Sequence, residues 1–131
     1  MRLGLWWTIV AAAAVVLPYF FYGTSNGHDL TFHVCSWIEV ARQWKLGTLY
    51  PHWAAFANYG SGEPRFVFYP PISWMMGALL TLALPISATP GALSVIVCIA
   101  AGISMFLFAR EWLDDRAAVL AAIFYAVNPY L

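Results

Sequence analysis

The amino-acid sequence consists of long apolar runs separated by polar segments. The first run, residues 3–22, contains no charged residue. A helix rises about 1.5 Å per residue, so a run of this length crosses a hydrocarbon core of about 30 Å. Further apolar runs cover residues 70–87, 91–108 and 117–131. The pattern predicts an all-α, polytopic membrane protein with three full spans and the start of a fourth.

The first run could also be a secretory signal peptide, with Arg2 as its basic start. A cleavable signal ends in small residues, whereas here Ala11 to Ala14 lie in the middle of the run. Bulky residues from Pro18 to Tyr22 follow them, and their aromatic rings suit the headgroup level of a bilayer. We therefore predict an uncleaved signal anchor.

Residues 23–69 form a long polar loop that predicts one helix of its own. Over residues 29–46, apolar positions recur at spacings of three and four, which is typical of an amphipathic helix lying flat on a membrane surface. Gly47 follows as a natural stop. The predicted apolar face consists of Leu30, Val34, Trp37, Ile38, Ala41 and Trp44, and a separate polar stripe carries Asp29, His33, Ser36 and Gln43.

Composition supports the membrane assignment and excludes other classes. Of the 131 residues, 63% are hydrophobic and only 9% are charged, whereas soluble domains carry about 25% charged residues. This composition argues against a soluble monomer, and it excludes a disordered chain. The formal net charge is zero, so the chain has no basic surface for a nucleic acid. The lipid bilayer is the predicted partner.

Asp29 is the first candidate for chemistry, because it opens the predicted surface helix just beyond the first span. Its carboxylate has two interpretations. It could cap the helix by accepting backbone N–H bonds, or it could act as a general base at the edge of the bilayer. His33, one helical turn later on the same stripe, could orient the carboxylate or share a proton with it.

A second candidate lies where the chain returns to the membrane, in the sequence YGSGEPRFVFYPP at residues 59–71. Its two glycines and three prolines predict a defined turn. Glu63 and Arg65 could bind a polar or charged group there, beside aromatic residues that include Tyr69. The alternative is an aromatic belt with an Arg side chain that snorkels to water.

Four motifs follow one another along the chain: Gly27-His28-Asp29-Leu30-Thr31-Phe32-His33, Gly47-Thr48-Leu49-Tyr50-Pro51-His52-Trp53, Gly60-Ser61-Gly62-Glu63-Pro64 and Phe68-Tyr69-Pro70-Pro71. In this order and at these intervals, they resemble the N-terminal part of bacterial multi-pass membrane proteins of the 6-pyruvoyl-tetrahydropterin synthase-related family. Those proteins look like glycosyltransferases of the GT-C class. The resemblance covers most of the chain.

The resemblance implies a transferase that uses a polyprenyl-phosphate-linked sugar at the outer face of the bacterial inner membrane. The acidic residue in the first outer loop of that class corresponds to Asp29. It would activate the acceptor hydroxyl or help to hold a divalent metal ion near the phosphate. We add His33, Glu63, Arg65 and Tyr69 as candidate substrate-binding residues, with Arg65 as a phosphate contact.

The positive-inside rule and the family resemblance predict opposite orientations of the long loop. Arg42, Lys45, Arg65, Arg110 and Arg116 lie in the loops at 23–69 and 109–116, which by the positive-inside rule would be cytoplasmic. The resemblance places the long loop outside. We follow the resemblance, because the loop is long and two of these residues lie on the predicted surface helix.

The run at 117–131 is shorter than the roughly 20 residues that cross a bilayer. We therefore expect the chain to be the front part of a longer protein, inactive alone, with the remainder or other membrane helices as partners. Two alternatives to a transferase remain. One is a non-catalytic membrane scaffold or assembly subunit. The other is part of a transporter for a lipid-linked substrate, which is disfavoured because such spans should carry ionisable residues.

Overall fold

The structure, a computed structural model, describes residues 2–23, 27 and 29–128. Within these residues the chain forms helices and turns, and it contains no β-strand. The prediction of an all-α protein is confirmed. The helices are α1 (Arg2–Val16), α2 (Pro18–Tyr22), α3 (Leu30–Lys45), α4 (Arg65–Phe68), α5 (Pro71–Ala83), α6 (Thr89–Ala109) and α7 (Asp115–Ala126), with a short 3₁₀ turn at Asn58–Gly60. His28, in the first motif, lies outside the described residues.

Two segments are long and apolar enough to cross a membrane, Leu3–Tyr22 and Thr89–Ala109. They coincide with the first and third predicted spans. The first segment combines α1 and α2, which meet at Leu17. Leu17 keeps helical backbone angles, and Pro18 occupies the first turn of α2, where its missing N–H is tolerated.

The other two predicted spans are represented by shorter helices. In the predicted span 70–87, α5 has 13 residues and therefore rises only about 20 Å. It ends because Leu84 is extended before Pro85, as expected for a residue that precedes proline. The predicted start of a fourth span corresponds to α7, and residues 129–131 lie outside the described part. Three full spans are thus not confirmed.

The described chain divides into two compact units, Met1–Thr24 with Gly91–Leu131, and Ser25–Pro90. In the first unit, α1 packs on α7 through small side chains. The buried residues recur every fourth position, at Thr8, Ala12 and Val16 on α1 and at Ala118, Ala122 and Ala126 on α7. Residues four apart share a helix face, so each set forms a low ridge that lets another helix approach closely.

Two glycines of the first unit lie close to side chains of neighbouring helices. A methyl group on Gly4 would lie 2.9 Å from Cγ2 of Val119 and 3.1 Å from Cζ of Phe106. One on Gly102 of α6 would lie 3.1 Å from Cγ2 of Thr8. Small residues therefore contribute to helix packing around α1.

The second unit is built on the packing of α3 against α5. Trp37, Val40 and Ala41 of α3 are buried, together with Trp74 and Ala78 of α5. The buried face of α3 differs from the predicted apolar face. Ile38 of the predicted face is 46% exposed, while the polar Ser36 and Glu39 are buried. Buried polar groups need hydrogen-bonding partners. Each of the two has one partner on α3 and one partner that follows α3 in the chain, which is Arg65 for Ser36 and Ala55 for Glu39.

Candidate functional site

The loop after α3 is held against the last turns of the helix by side-chain hydrogen bonds. The amide Nε2 of Gln43 donates to the carbonyl oxygen of Trp53 at 2.7 Å. The indole Nε1 of Trp44 donates to the carbonyl oxygen of Leu49 at 2.8 Å. Two neighbouring side chains of α3 thus fix the path of the loop.

Glu39 is the acidic residue that sequence reasoning passed over. Its side chain is buried on α3, and its Oε1 accepts hydrogen bonds from the backbone N–H of Ala55 at 2.9 Å and from Nε2 of Gln43 at 2.7 Å. The Ala55 bond links positions 16 residues apart. Periodicity along a single helix could not have revealed it.

In the segment predicted as a defined turn, residues 59–71, the first part is closed by a short antiparallel bridge between Ala54 and Glu63. The Ala54 N–H donates to the Glu63 carbonyl at 2.8 Å, and the Glu63 N–H donates to the Ala54 carbonyl at 3.2 Å. Gly62 has a φ of +76°, and a Cβ there would lie 2.0 Å from Nε1 of Trp53. Glycine is therefore required at this position by both its backbone angle and its close contact with the indole ring.

Arg65 connects this turn to α3. Its Nε forms an ion pair with Oε1 of Glu63, and its Nη1 donates to Oγ of Ser36 at 2.9 Å. Its guanidinium carbon lies 4.2 Å from the centre of the Phe32 ring, a cation–π geometry. The Arg65 side chain is only 12% exposed, so these contacts hold the guanidinium in a fixed orientation.

The other three predicted substrate-binding residues, His33, Glu63 and Tyr69, lie near Arg65. Glu63, Arg65 and Tyr69 line a groove of about 260 Å³ together with Phe32. His33 lies with Arg65 and Tyr69 along a cleft of about 10 Å³, roughly the space of one water molecule. The rings of Phe32 and Tyr69 are 5.1 Å apart. The structure thus brings these residues together, and their role in binding stays a prediction.

Asp29 lies at the start of α3, one helical turn before Phe32 and His33. It is exposed, and its backbone carbonyl accepts a bond from the His33 N–H at 3.0 Å. Its side chain occupies the N-cap position without forming a capping hydrogen bond. The capping interpretation therefore has no support from the geometry, while the carboxylate is at the end of the helix that lines the groove.

A metal site is not formed by the described residues. Nowhere among them do three His, Cys, Asp or Glu side chains approach closely enough to hold a metal ion. The sequence left open whether Asp29 helps to hold a divalent ion, and among the described residues Asp29 is not part of a cluster of three such side chains.

Comparisons of this chain with models of known protein families, with curated proteins and with solved structures gave no match.

Proposed function

We propose that the chain is the N-terminal part of a GT-C-type membrane glycosyltransferase of the 6-pyruvoyl-tetrahydropterin synthase-related family. It transfers a sugar from polyprenyl phosphate at the outer face of the bacterial inner membrane. The membrane location is supported by the two apolar helices, because only 17% of each apolar window is buried. A core helix of a soluble protein would be mostly buried. Exposed side chains such as Trp6, Phe21 and Phe108 are suited to contact with lipid.

The same proposal includes the position of the loops and of the shorter apolar segments relative to the membrane. The loop 23–69 lies on the outer face, with α3 at the membrane surface. Residues 70–87 and 117–131 lie in the membrane beside further helices of a longer protein. The shortness of α5 is accommodated if the bilayer thins locally or if its flanking residues snorkel to water.

The observation that carries the proposal is the fixed guanidinium of Arg65 at an open groove. Arg has five N–H donors, and Glu63 and Ser36 use Nε and one N–H of Nη1. The remaining donors suit the oxygens of a phosphate. Phe32, Phe68 and Tyr69 line the same groove and provide apolar surface for the first units of an isoprenoid chain.

The proposed reaction is a substitution at the anomeric carbon of the donor sugar. The acceptor hydroxyl oxygen bonds to that carbon while the bond to the phosphate oxygen breaks, and polyprenyl phosphate leaves. Asp29 takes the hydroxyl proton as general base. Arg65 stabilises the negative charge on the departing phosphate. Both roles are compatible with the position of Asp29 one turn before the Phe32 side of the groove.

The test uses the full-length protein in bacterial membrane vesicles. Transfer is measured from a panel of radiolabelled polyprenyl-phosphate hexoses to endogenous acceptors. Asp29→Asn should lower kcat by about 100-fold or more with an unchanged amount of protein. Arg65→Lys keeps the charge but loses the planar donor set, and should raise the KM for the donor by about tenfold.

Two substitutions provide matched controls. Glu111→Gln removes one exposed negative charge, and Arg110→Lys alters an arginine that pairs with Asp115 at 2.8 Å. Both lie outside the Arg65 groove and should leave transfer unchanged. If no panel member is a donor, or if Asp29→Asn retains full turnover, the transferase proposal is wrong and a non-catalytic membrane scaffold becomes the better explanation.

A further inference from the structure

Arg65 also lines a second, larger groove in the unit Ser25–Pro90. This groove has a volume of about 340 Å³, and its lining includes Cys35, Glu39, Arg42 and Phe56. None of these four residues belongs to the donor groove described above. The two grooves therefore share a single cationic side chain.

Glu39 leaves one hydrogen-bond acceptor unused in this groove. The residue is only 7% exposed, and both of its hydrogen bonds, from Ala55 and Gln43, go to Oε1. No donor among the described residues bonds to Oε2. Oε2 is not among the fully buried polar atoms that lack a partner, so it is open to the groove. A ligand with a donor group can therefore form a hydrogen bond to it.

The charges around the groove select the chemical class of that ligand. Glu39 disfavours an anion, while Arg42 and Arg65 disfavour a cation. A hydroxyl group both donates and accepts, so one neutral polyol can donate to the carboxylate and accept from a guanidinium. Phe56 adds an aromatic surface that is 48% exposed, which matches the apolar C–H face of a sugar ring.

Arg42 helps to shape this aromatic surface. Its guanidinium carbon lies 3.7 Å from the centre of the Phe56 ring. A few placed polar groups among apolar walls are typical of small-molecule sites. The groove thus combines one available acceptor, two cationic donors and one aromatic ring.

From these observations we infer that the groove beside Glu39 binds the sugar ring of a carbohydrate. The binding itself follows from the groove alone. Its assignment as the acceptor site rests on the proposed transferase function, in which Arg65 lies between the donor phosphate and the acceptor sugar. Glu39 lies ten residues along α3 from Asp29, a distance of about 15 Å. The ring bound beside Glu39 is therefore a unit of the acceptor further from the reaction, and not the one whose hydroxyl Asp29 deprotonates.

Cys35 provides a native reporter for occupancy, because it is exposed and lines the groove. Purified full-length protein is alkylated with N-ethylmaleimide, and the rate at each cysteine is followed by mass spectrometry. A panel of methyl glycosides should slow Cys35 alkylation several-fold and saturably. The rate at Cys98, which lies in α6 of the other unit, should not change.

Substitutions of groove residues test whether the glycosides protect Cys35 by binding in the groove. Glu39→Gln keeps an acceptor for Ala55 but removes the charge, and should raise the half-protecting glycoside concentration about tenfold. Phe56→Leu should weaken protection without altering the carboxylate. Glu111→Gln makes the same charge change at an exposed site and should leave protection as in the unmodified protein.

The probes also distinguish other ligand classes. Protection by inorganic phosphate or by glycine, but by no methyl glycoside, would overturn the inference in favour of an anion or a zwitterion. Absence of protection by every probe would also overturn it. Glycoside protection in a protein that transfers no sugar would retain the binding site and reject the transferase proposal. Sugar transfer without protection of Cys35 would retain the transferase proposal and reject the binding site.

Discussion

The indole ring of Trp37 in α3 lies directly over Gly77 in α5. A methyl group at Gly77 would come within 2.4 Å of three atoms of that ring. Trp37 is only 5% exposed and has little room to move. The close approach of α3 and α5, and with it the framework for the groove at Arg65, depends on the missing side chain.

We predict that Gly77→Ala destabilises the unit Ser25–Pro90 by about 1–3 kcal/mol, the usual cost of overpacking a core. Gly27→Ala is the matched control, because no atom lies within 4 Å of the position of its Cβ. Thermal unfolding of the detergent-solubilised protein, followed by tryptophan fluorescence, measures the difference. Equal midpoints for the two variants would show that Trp37 and Gly77 are not tightly packed.

The two aspartates that begin long helices should behave differently when they are removed. Oδ1 of Asp114 accepts hydrogen bonds from the N–H groups of Arg116 and Ala117, both at 2.9 Å, whereas Asp29 forms no side-chain capping bond. Asp114→Ala should therefore lower stability by about 1 kcal/mol. Asp29→Ala removes no side-chain capping bond, so it should lower the unfolding midpoint less than Asp114→Ala does. A loss of stability in Asp29→Ala alone would restore the capping interpretation.

The small-residue packing of α1 on α7 makes a separate prediction. Ala122 is fully buried, so Ala122→Leu would separate the two helices or force other side chains from their rotamers. We expect a lower yield of folded protein and a lower unfolding temperature. Phe124→Leu, on the same helix at a site 73% exposed, should have little effect. Similar losses in both variants would mean that this helix face is not closely packed.

Several elements could be predicted from the sequence because their signals are local. The structure places a helix at Leu30–Lys45, where apolar spacing indicated residues 29–46 and Gly47 indicated the end. Candidate spans at Leu3–Tyr22 and Thr89–Ala109 were evident from uncharged apolar runs. Whether α3 lies on a membrane surface stays a prediction, because its buried face is directed at α5.

Other features could not be predicted, either because they depend on contacts between residues distant in sequence or because two local signals disagreed. Pro85 lies inside the second predicted span and indicated an earlier end, but the apolar composition of residues 70–87 concealed it. The burial of Glu39 requires the N–H of Ala55 in a loop that has no periodicity. Likewise, Ser36 was recognised as part of a polar stripe, while its partner Arg65 is 29 residues away.

The short α5 makes the topology of the chain testable with two single cysteines. Ser61→Cys reports on the long loop and Glu111→Cys on the loop before α7, each in a background carrying Cys35→Ser and Cys98→Ala. Ser61 and Glu111 are both exposed, so a cysteine at either position can be reached from water. Full-length protein in cells with a permeabilised outer membrane is treated with a membrane-impermeant maleimide. The proposed topology predicts rapid labelling of Ser61→Cys, contrary to the Lys and Arg count.

The second cysteine then decides whether α5 crosses the bilayer. If residues 70–87 span the membrane, two crossings separate the loops and Glu111→Cys is labelled as rapidly as Ser61→Cys, which is the result we expect. If α5 stays on one side, as its 13 residues would allow, only the crossing by α6 separates the loops and one cysteine of the pair is protected. Protection of Ser61→Cys in either case would place Asp29 and Arg65 in the cytoplasm and exclude transfer at the outer face.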